Sequence, residues 1–335
     1  MERGTRLALV GDVMLGRMVD QTVRRIGDPS SVWGNTLTIW QQADVRFINL
    51  ECVIARRETG KQWFPKVFHF RALPWALDAL KVASIDAVSL ANNHVLDYHE
   101  EALLEMISFL DTAGIAHAGA GASLSSAIQP AVVESQELTV ALLALTDNEP
   151  RWEALDARKR RVAKGGIFYV PMATSGSRFE RLVRAIRKAQ KRADIVVVSA
   201  HVGPHMREAP GKTYVSFAHA IIDAGASVYM GSSNHAFQGV EIYRDRPILY
   251  DLGDFVDDYA VDPVMRNDCS FLFLLEFQHS KLRSLSMAPT VISEMQVNLA
   301  RGRERDRIMS RMGRLCRGLG TKTRRVNDRL EVVLD

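Results

Sequence analysis

The sequence has few cysteines, and their spacing does not pair them. Its 335 residues include only three, Cys52, Cys269 and Cys316, and none belongs to a C-x-x-C motif. An odd number of widely separated cysteines argues against a disulfide framework and against a cysteine zinc site. We therefore expect all three to be small core residues.

The sequence also lacks a long hydrophobic run and a strong charge imbalance. No apolar stretch reaches the roughly 18 residues that a membrane-spanning helix needs, and the N-terminus runs directly into what resembles a core strand. This pattern predicts a cytoplasmic protein without a membrane span. The net charge is only +4, with the basic excess mainly in the last third, so composition gives no reason to expect a nucleic-acid partner.

Hydrophobic residues make up 47% of the chain, which is enough to bury a sizeable core. The polar, Arg- and Lys-rich segment 151–165 is interpreted as an exposed excursion rather than a domain linker, because strand and helix signals resume after it in the same style. We expect a single domain over residues 1–335. Within it, residues 300–335 form a basic helical and strand extension packed on the rest.

The stretch from Ser89 to Asp97 concentrates amide, imidazole and carboxylate groups. It follows a predicted strand at 83–90 and precedes helical spacing at 100–110, so Asn92, Asn93 and His94 fall on a strand-to-helix loop. In a parallel α/β sheet such loops form the functional edge. The alternative is an ordinary turn with local side-chain hydrogen bonds.

Two earlier strand ends carry acidic groups in the same way. Asp12 follows a predicted strand at 5–10, and neighbouring glycines leave room beside it for a metal ion or an anionic substrate. A helix-capping role is the alternative for this residue. Asn49 and Glu51 end the next predicted strand, at 45–48, and their i, i+2 spacing directs both side chains to one side.

Histidines follow two later predicted strands. The buried strand at 194–200 leads into His201 and His205, and the strand at 226–230 leads into His235. A single histidine is more often structural than a ligand. These histidines matter because they join the acidic and amide groups at the same predicted edge.

Segment 66–71 (KVFHFR) alternates in a way that predicts a short edge strand with Lys66, His69 and Arg71 on a polar face. Basic groups near acidic strand ends can hold a carboxylate or phosphate, and Arg does so through its bidentate fork. A solvated strand face is the alternative.

Mixed oxygen and nitrogen donors at five strand ends predict divalent metal binding, and two ions bridged by a carboxylate are the more natural arrangement. The donors do not distinguish Mn, Zn, Fe, Mg or Ca. The predicted ligands are Asp12, Asn49, Glu51, Asn92, His201 and His235.

The order of these motifs resembles the CapA family, named for poly-γ-glutamate capsule synthesis, over about residues 5–330. The resemblance is carried by 11–17 (GDVMLGR), Asn49-Leu-Glu51, 66–71, 90–97 (LANNHVLD), His201-x-Gly-Pro, Gln238-Gly-Val-Glu241 and 249–259 (LYDLGDFVDDY). The family belongs to the metallo-dependent phosphatase superfamily. The resemblance therefore implies a four-layer α/β/β/α sandwich with a two-metal site between its central sheets. It also implies that Asp12, Asn49, Glu51, Asn92 and His201 contact the metals, and that His94 meets the substrate.

The chain departs from the family pattern near its last histidine. Family members carry Gly-His-x-x-His where this chain has Gly231-Ser232-Ser233-Asn234-His235, so one expected imidazole is missing. Val202 replaces a typical Trp, and His205 stands where Asn is common. A retained His205 or Asp254 could compensate if the geometry allows.

The leading hypothesis is a metal-dependent hydrolase that acts on a phosphoester or on a γ-glutamyl or other peptide amide, with the family name suggesting polyglutamate or capsule metabolism. In this hypothesis the catalytic residues are His94, which protonates the leaving group, together with His205 and His235. A small anionic or peptide substrate is bound by Arg17, Lys66, His69 and Arg71.

Two alternatives remain open at this point. The first is a metal-dependent peptide epimerase that inverts an α-carbon, with His94 and His235 exchanging the proton. The second is a non-catalytic scaffold with a partly lost metal site, which the Ser232 and Val202 departures favour. The sequence does not specify the substrate or the oligomeric state.

Overall fold

The computed structural model describes residues 4–61, 66–157 and 162–334. The α-helices in these ranges are α1 (Arg17–Ile26), α2 (Leu37–Trp40), α3 (Trp75–Val82), α4 (His99–Ala113), α5 (Leu124–Ala127), α6 (Ser177–Ala189), α7 (Lys212–Ala224) and α8 (Gly302–Gly318). The strands are β1 (Thr5–Val13), β2 (Val45–Leu50), β3 (Val53–Ile54), β4 (Arg71–Ala72), β5 (Ala87–Ser89), β6 (Ala116–Ala118), β7 (Ala120–Gly121), β8 (Ala131–Glu134), β9 (Thr139–Thr146), β10 (Gly166–Ile167), β11 (Ile195–His201), β12 (Val228–Ser232), β13 (Val240–Tyr243), β14 (Arg246–Leu249), β15 (Asp254–Val256), β16 (Cys269–Gln278), β17 (Lys281–Ser293), β18 (Gln296–Leu299), β19 (Thr323–Val326) and β20 (Arg329–Val332).

Two mixed sheets form the centre of the molecule. The larger sheet has the strand order β19-β20-β17-β16-β1-β2-β5-β6, with β15 also paired to β1 and β18 to β17. The smaller sheet has the order β13-β14-β12-β11-β9-β8. Strands β1, β2, β5 and β6 run parallel in the first sheet, as do β9, β11, β12 and β14 in the second. Each sheet therefore presents several carboxyl ends of strands at one edge.

Alternating side chains give each sheet two apolar faces. Leu7 and Leu9 of β1 share a buried cluster with Leu142 of β9 and Val197 of β11, so this cluster fills the space between the sheets. The opposite face of the larger sheet packs against α1 to α4, and the opposite face of the smaller sheet packs against α6 and α7. The layers are α/β/β/α, which confirms the predicted fold class.

The three cysteines lie in these cores. Cys52, Cys269 and Cys316 are buried with free thiols, as expected from their spacing. Burial raises the pKa of the Cys52 thiol to about 12, which makes this residue an inert core group. Within the described ranges, no helix combines the length and apolar character that crossing a lipid bilayer requires.

Two segments around the sheets are irregular. Residues 29–40 form a 3-10 helix, Pro29–Thr36, followed by the short α2, because Gly34 adopts a φ of 45° that interrupts helical geometry. The edge strand predicted at 66–71 is wrong, because only its last residue lies in a strand, β4, which pairs with β3 among the described residues. The backbone N–H of Phe70 instead donates to the Asp97 carboxylate at 2.7 Å.

The segment 151–165 is less exposed than predicted, although its residues 158–161 lie outside the described ranges. Trp152 is 3% exposed and Ala154 is fully buried. The indole of Trp152 lies 5.0 Å from the Lys66 ammonium group, and the backbone of Glu153 forms an isolated β-bridge with Ile167 of β10. The segment therefore contributes to the core beside the 89–97 loop.

The C-terminal residues complete the layer between the sheets. Strands β19 and β20 extend the larger sheet, and α8 inserts Ile308, Met309, Met312 and Leu315 into the inter-sheet cluster. The basic residues of α8 lie mainly on its opposite, exposed side. This helix thus closes the inter-sheet core, while the single-domain boundary stays a prediction.

We expect Met312→Ala to lower the free energy of unfolding by about 2 to 5 kcal/mol, because it removes a fully buried side chain from the inter-sheet core. Urea denaturation followed by circular dichroism measures this change. The exposed Arg307→Ala on the same helix is the matched control and should stay within about 0.5 kcal/mol of the parent. Equal effects of the two substitutions would contradict the role given to α8.

Candidate metal centre

The centre is built where β1 ends. Val10 and Val13 of β1 both pack on the face of the larger sheet that is covered by α1 to α4. Residues three apart in a regular strand would lie on opposite faces, but the pairing with β2 shifts register between Leu9 and Asp12. Such a bulge reverses the alternation of side chains. It places Asp12 on the inter-sheet side, facing the second sheet.

Strand β1 brings polar residues from two partner strands beside Asp12, one an amide and one a carboxylate. Asp12 pairs in register with Asn49 of β2 on one side and with Asp254 of β15 on the other. The Asp12 backbone N–H donates to Gly253 O at 3.0 Å. A Cβ atom on Gly11 would lie 1.8 Å from that same oxygen, so glycine is required for this close approach.

Four side chains converge at this point. One potential ligand atom from each of Asp12, Glu51, His235 and Asp254 lies within 4.8 Å of all the others. The three carboxylates are at most 1% exposed, and the His235 side chain is 21% exposed. His235 Nδ1 lies 2.9 Å from Asp254 Oδ1. We call these four residues the carboxylate cluster.

Burial and neighbouring charges shift the pKa values of the three carboxylates in the cluster. Burial, followed by the charge of Asp12, raises the pKa of Glu51 well above its ordinary value. Burial, followed by the charge of Asp257, does the same to the pKa of Asp254. Burial would also raise the pKa of Asp12, but His201, His235 and the Asn49 amide together outweigh it and the net shift is downward.

The donor set fits a divalent cation. Among the described residues, Glu51 Oε1 and Asp254 Oδ2 are buried without a hydrogen-bond partner. A buried carboxylate oxygen without a partner costs free energy unless a cation or a proton satisfies it. Hard divalent cations prefer such oxygen ligands, so the residues present can hold the metal that the sequence predicts.

His201 lies beside the carboxylate cluster and hydrogen-bonds to protein groups. Its Nδ1 lies 2.9 Å from Ser232 Oγ and 3.7 Å from Asp12 Oδ1. Its Nε2 lies 2.9 Å from Asn93 Oδ1 and 3.8 Å from Glu51 Oε1. His201 thus joins the two sheets at the cluster, with both nitrogens close to its carboxylates.

The two predicted amide ligands organise the strand ends. Asn49 Nδ2 donates to Asp12 Oδ1 at 2.7 Å and thereby orients that carboxylate. Asn92 Nδ2 donates to Leu50 O at 2.8 Å, while Asn92 Oδ1 accepts from the backbone N–H groups of His94 and Val95. Asn92 therefore forms a turn with local side-chain hydrogen bonds, which was the alternative interpretation of this loop, and the turn lies next to the cluster.

His94 is buried in a network of its own. Its Nδ1 lies 2.6 Å from Asp97 Oδ2, and its ring stacks on Phe70 with centroids 3.7 Å apart. Asp97 also accepts from Lys66 Nζ at 2.8 Å. Burial lowers the pKa of His94 to about 4, although the Asp97 charge opposes the shift, so the imidazole is neutral at pH 7.

The predicted substrate-binding residues are only partly gathered here. Lys66 is engaged with Asp97, and Arg71 lies over the Tyr98 ring at 4.2 Å while donating to Arg57 O. Arg17 Nε lies 3.3 Å from Asp258 Oδ2. His69 packs edge-on to Tyr98 at 6.2 Å, and the exposed His205 stacks on His235 at 5.0 Å.

Three further residues contribute to the site. Asp254, which the sequence suggests only as a compensating residue, reaches the cluster through β15. Asp97 and Asn93 are not among the predicted site residues, yet Asp97 hydrogen-bonds His94 and Asn93 hydrogen-bonds His201. Each lies within a motif that the sequence makes visible. The place of Asp254 became evident only from the pairing of β1 with β15, which lie far apart in the chain.

Two other features of the molecule are separate from this centre. A cleft of about 770 Å³ is lined by Asp194 and Ser227, which precede β11 and β12, so it lies at the opposite sheet edge from His201. A second group of potential ligands, at Asp268 and Glu304, is satisfied by Arg266, whose Nη2 donates to both carboxylates at 2.7 and 2.8 Å.

Comparison with known sequences and structures gives one family and several relatives. The sequence model of the family described as "Bacterial capsule synthesis protein PGA_cap" matches residues 6–259. A probable polyglutamine synthesis accessory protein of Mycobacterium tuberculosis is 29% identical, over 97% of this chain and 95% of the relative. The PGA biosynthesis protein CapA of Bacillus subtilis is 28% identical, over 75% of this chain and 63% of the relative. Among solved structures, the 5'-nucleotidase of Candida albicans is similar at 9% identity with a TM-score of 0.43, over 84% of this chain and 48% of that chain.

We expect Gly11→Ala to separate β1 from β15 and to destabilise the protein by several kcal/mol, because the new Cβ overlaps Gly253 O. Thermal unfolding measures the loss. Gly211→Ala is the matched control, since Gly211 has a φ of −74° and open space around it, and its effect should stay within about 1 kcal/mol. A parent-like melting temperature for Gly11→Ala would contradict the close approach of β1 and β15.

Proposed function

The chain belongs to the bacterial capsule synthesis protein PGA_cap family, and from this premise we propose that it is a metal-dependent hydrolase of amide bonds in γ-glutamyl or related acidic peptide chains. The observation that carries the proposal is the buried carboxylate cluster together with the His94–Asp97 pair, which lies on the loop whose Asn93 hydrogen-bonds His201. The names of the relatives, which refer to polyglutamine and PGA synthesis, favour a glutamyl polymer over a generic phosphoester.

The carboxylate cluster is the metal-holding part of the proposed site. Asp12, Glu51 and Asp254 offer oxygen atoms, His235 offers a nitrogen, and Asn49 fixes the orientation of Asp12 by its 2.7 Å hydrogen bond. A bound divalent cation supplies Lewis acidity that polarises the substrate carbonyl group. His201 stabilises the negative charge of Asp12 from the second sheet.

His94 is the proposed proton carrier. Its neutral ring carries the proton on Nδ1, because Asp97 Oδ2 is an acceptor at 2.6 Å, and this leaves the lone pair on Nε2. His94 Nε2 therefore accepts a proton from the attacking water first. The imidazolium that forms is stabilised by Asp97 and then protonates the leaving amine. The leaving-group role predicted from the sequence becomes the second of two steps.

The hydrolase proposal predicts release of glutamate or short oligomers from a synthetic γ-glutamyl peptide in the presence of Mn²⁺. Asp12→Ala should abolish turnover because it removes the carboxylate at the centre of the cluster. Chromatographic product analysis measures the reaction, with a generic phosphoester as the second substrate. His279→Ala, in the exposed turn between β16 and β17, is the control and should retain parent activity.

Each outcome of this assay decides between functions. Turnover of the phosphoester alone would show that the proposed bond is wrong while the hydrolase chemistry holds. Deuterium exchange into a peptide α-carbon without hydrolysis would replace the proposal by epimerisation. Neither reaction under any metal condition would leave the scaffold interpretation.

A second prediction concerns Asp97 as a positioning residue for His94. Asp97→Asn should lower kcat by about 10²-fold or more with a smaller change in KM, because the amide no longer stabilises the imidazolium or fixes the Nδ1 proton. Steady-state kinetics on the γ-glutamyl peptide separate the two parameters. A variant that changes KM alone would assign Asp97 to substrate binding instead.

A further inference from the structure

We infer that Asp254 takes the place of the imidazole that is missing from the Gly231–His235 segment, so that this chain holds its metal by three carboxylates and one histidine. This inference rests on the proposed function only in assuming that the carboxylate cluster binds a divalent cation. It concerns which residues bind the ion, and it is tested without any assay of turnover.

The serine that replaces the expected imidazole has another partner. Ser232 is paired in register with His201 between β12 and β11, and its hydroxyl lies 2.9 Å from His201 Nδ1. Ser233 follows with its backbone N–H directed at Asp12 Oδ2 at 3.4 Å. Both serines therefore hydrogen-bond to residues of the site without adding a strong metal ligand.

Backbone pairing places Asp254 where it can act as the metal ligand that the missing imidazole would have provided. Its register partner across β1 and β15 is Asp12 itself, and a potential ligand atom of each lies within 4.8 Å of the other. The side chain of Asp254 is fully buried, with Oδ1 directed to His235 Nδ1 and Oδ2 without a hydrogen-bond partner among the described residues. A buried carboxylate with one hydrogen-bonded oxygen and one oxygen without a partner is suited to bind a divalent cation.

His205 is the other residue that could compensate, and the geometry does not favour it. It is exposed, it stacks on the face of His235 with ring centroids 5.0 Å apart, and it is not among the four converging residues. Stacking fixes the His235 ring from outside the cluster. His205 therefore serves as a comparison residue for the test.

Replacing an imidazole by a carboxylate changes the chemistry of the site. Carboxylate oxygens suit Mg²⁺ and Mn²⁺, whereas imidazole nitrogens suit Zn²⁺ better. Three carboxylates with one histidine therefore shift selectivity toward oxygen-preferring cations. A further carboxylate also compensates more of the cation's charge, which favours retention of a divalent ion in the buried cluster.

The test is calorimetric titration of metal-free protein with Mn²⁺ and, separately, with Zn²⁺. Asp254→Asn should weaken Mn²⁺ binding at least about tenfold, because the shape is kept while the charged ligand is lost. His205→Ala should leave the affinity within about twofold of the parent. Asp254→His should raise the ratio of Zn²⁺ to Mn²⁺ affinity, and the electron paramagnetic resonance spectrum of bound Mn²⁺ should change in both Asp254 variants.

Far-UV circular dichroism of each metal-free variant separates loss of a ligand from loss of folding, and Asp254→Glu provides a variant that retains the carboxylate. Parent-like Mn²⁺ affinity in Asp254→Asn would overturn the inference even if the enzyme hydrolyses peptides. Loss of affinity in His205→Ala, with Asp254→Asn unaffected, would assign the compensating role to His205. Weakened Mn²⁺ binding in Asp254→Asn supports the inference even if no substrate is hydrolysed.

Discussion

The crowding of buried carboxylates at the end of β1 is the constraint on which the site depends. Parallel pairing fixes Asp12 between β2 and β15, so Asn49 and Asp254 lie beside it. The backbone holds Asp254 there despite the repulsion between its carboxylate and that of Asp12. Apolar packing on both faces stabilises the sheet. The free energy of this packing offsets the electrostatic cost of burying the carboxylates of the cluster. A divalent cation offsets that cost, which links metal binding to stability through the same three carboxylates.

The second sheet completes the centre, so the distance between sheets matters as much as the pairing within them. His201, at the end of β11, hydrogen-bonds Ser232 on its own sheet and Asn93 on the 89–97 loop of the other. The relative position of these groups is set by the inter-sheet core, which α8 closes with its apolar side. The C-terminal helix, far from the site in sequence, thus helps to hold the two halves of the site together.

Much of this arrangement was predictable from the sequence, and its limits have a physical origin. Parallel strands deliver polar residues to one edge, so hydrophobic runs followed by Asp12, Asn49 and His201 indicated both the layers and the location of the site. The bulge between Leu9 and Asp12 was not predictable, because it depends on how β1 meets its neighbours. The pairing of Asp12 with Asp254 spans most of the chain, and no local pattern encodes such a register. Lys66 was interpreted as a substrate group for a similar reason, since its partner Asp97 lies on another element.

The histidines of the site differ because their neighbours differ. His94 is neutral, since burial outweighs the Asp97 charge, and its stacked ring presents one free nitrogen. His201 is fully buried and lies near two carboxylates, where it lowers the pKa of Asp12. His235 is partly exposed and oriented by Asp254. The same side chain can therefore carry protons, balance charge or bind a cation, and burial together with the nearest carboxylate decides which of these roles each position supports.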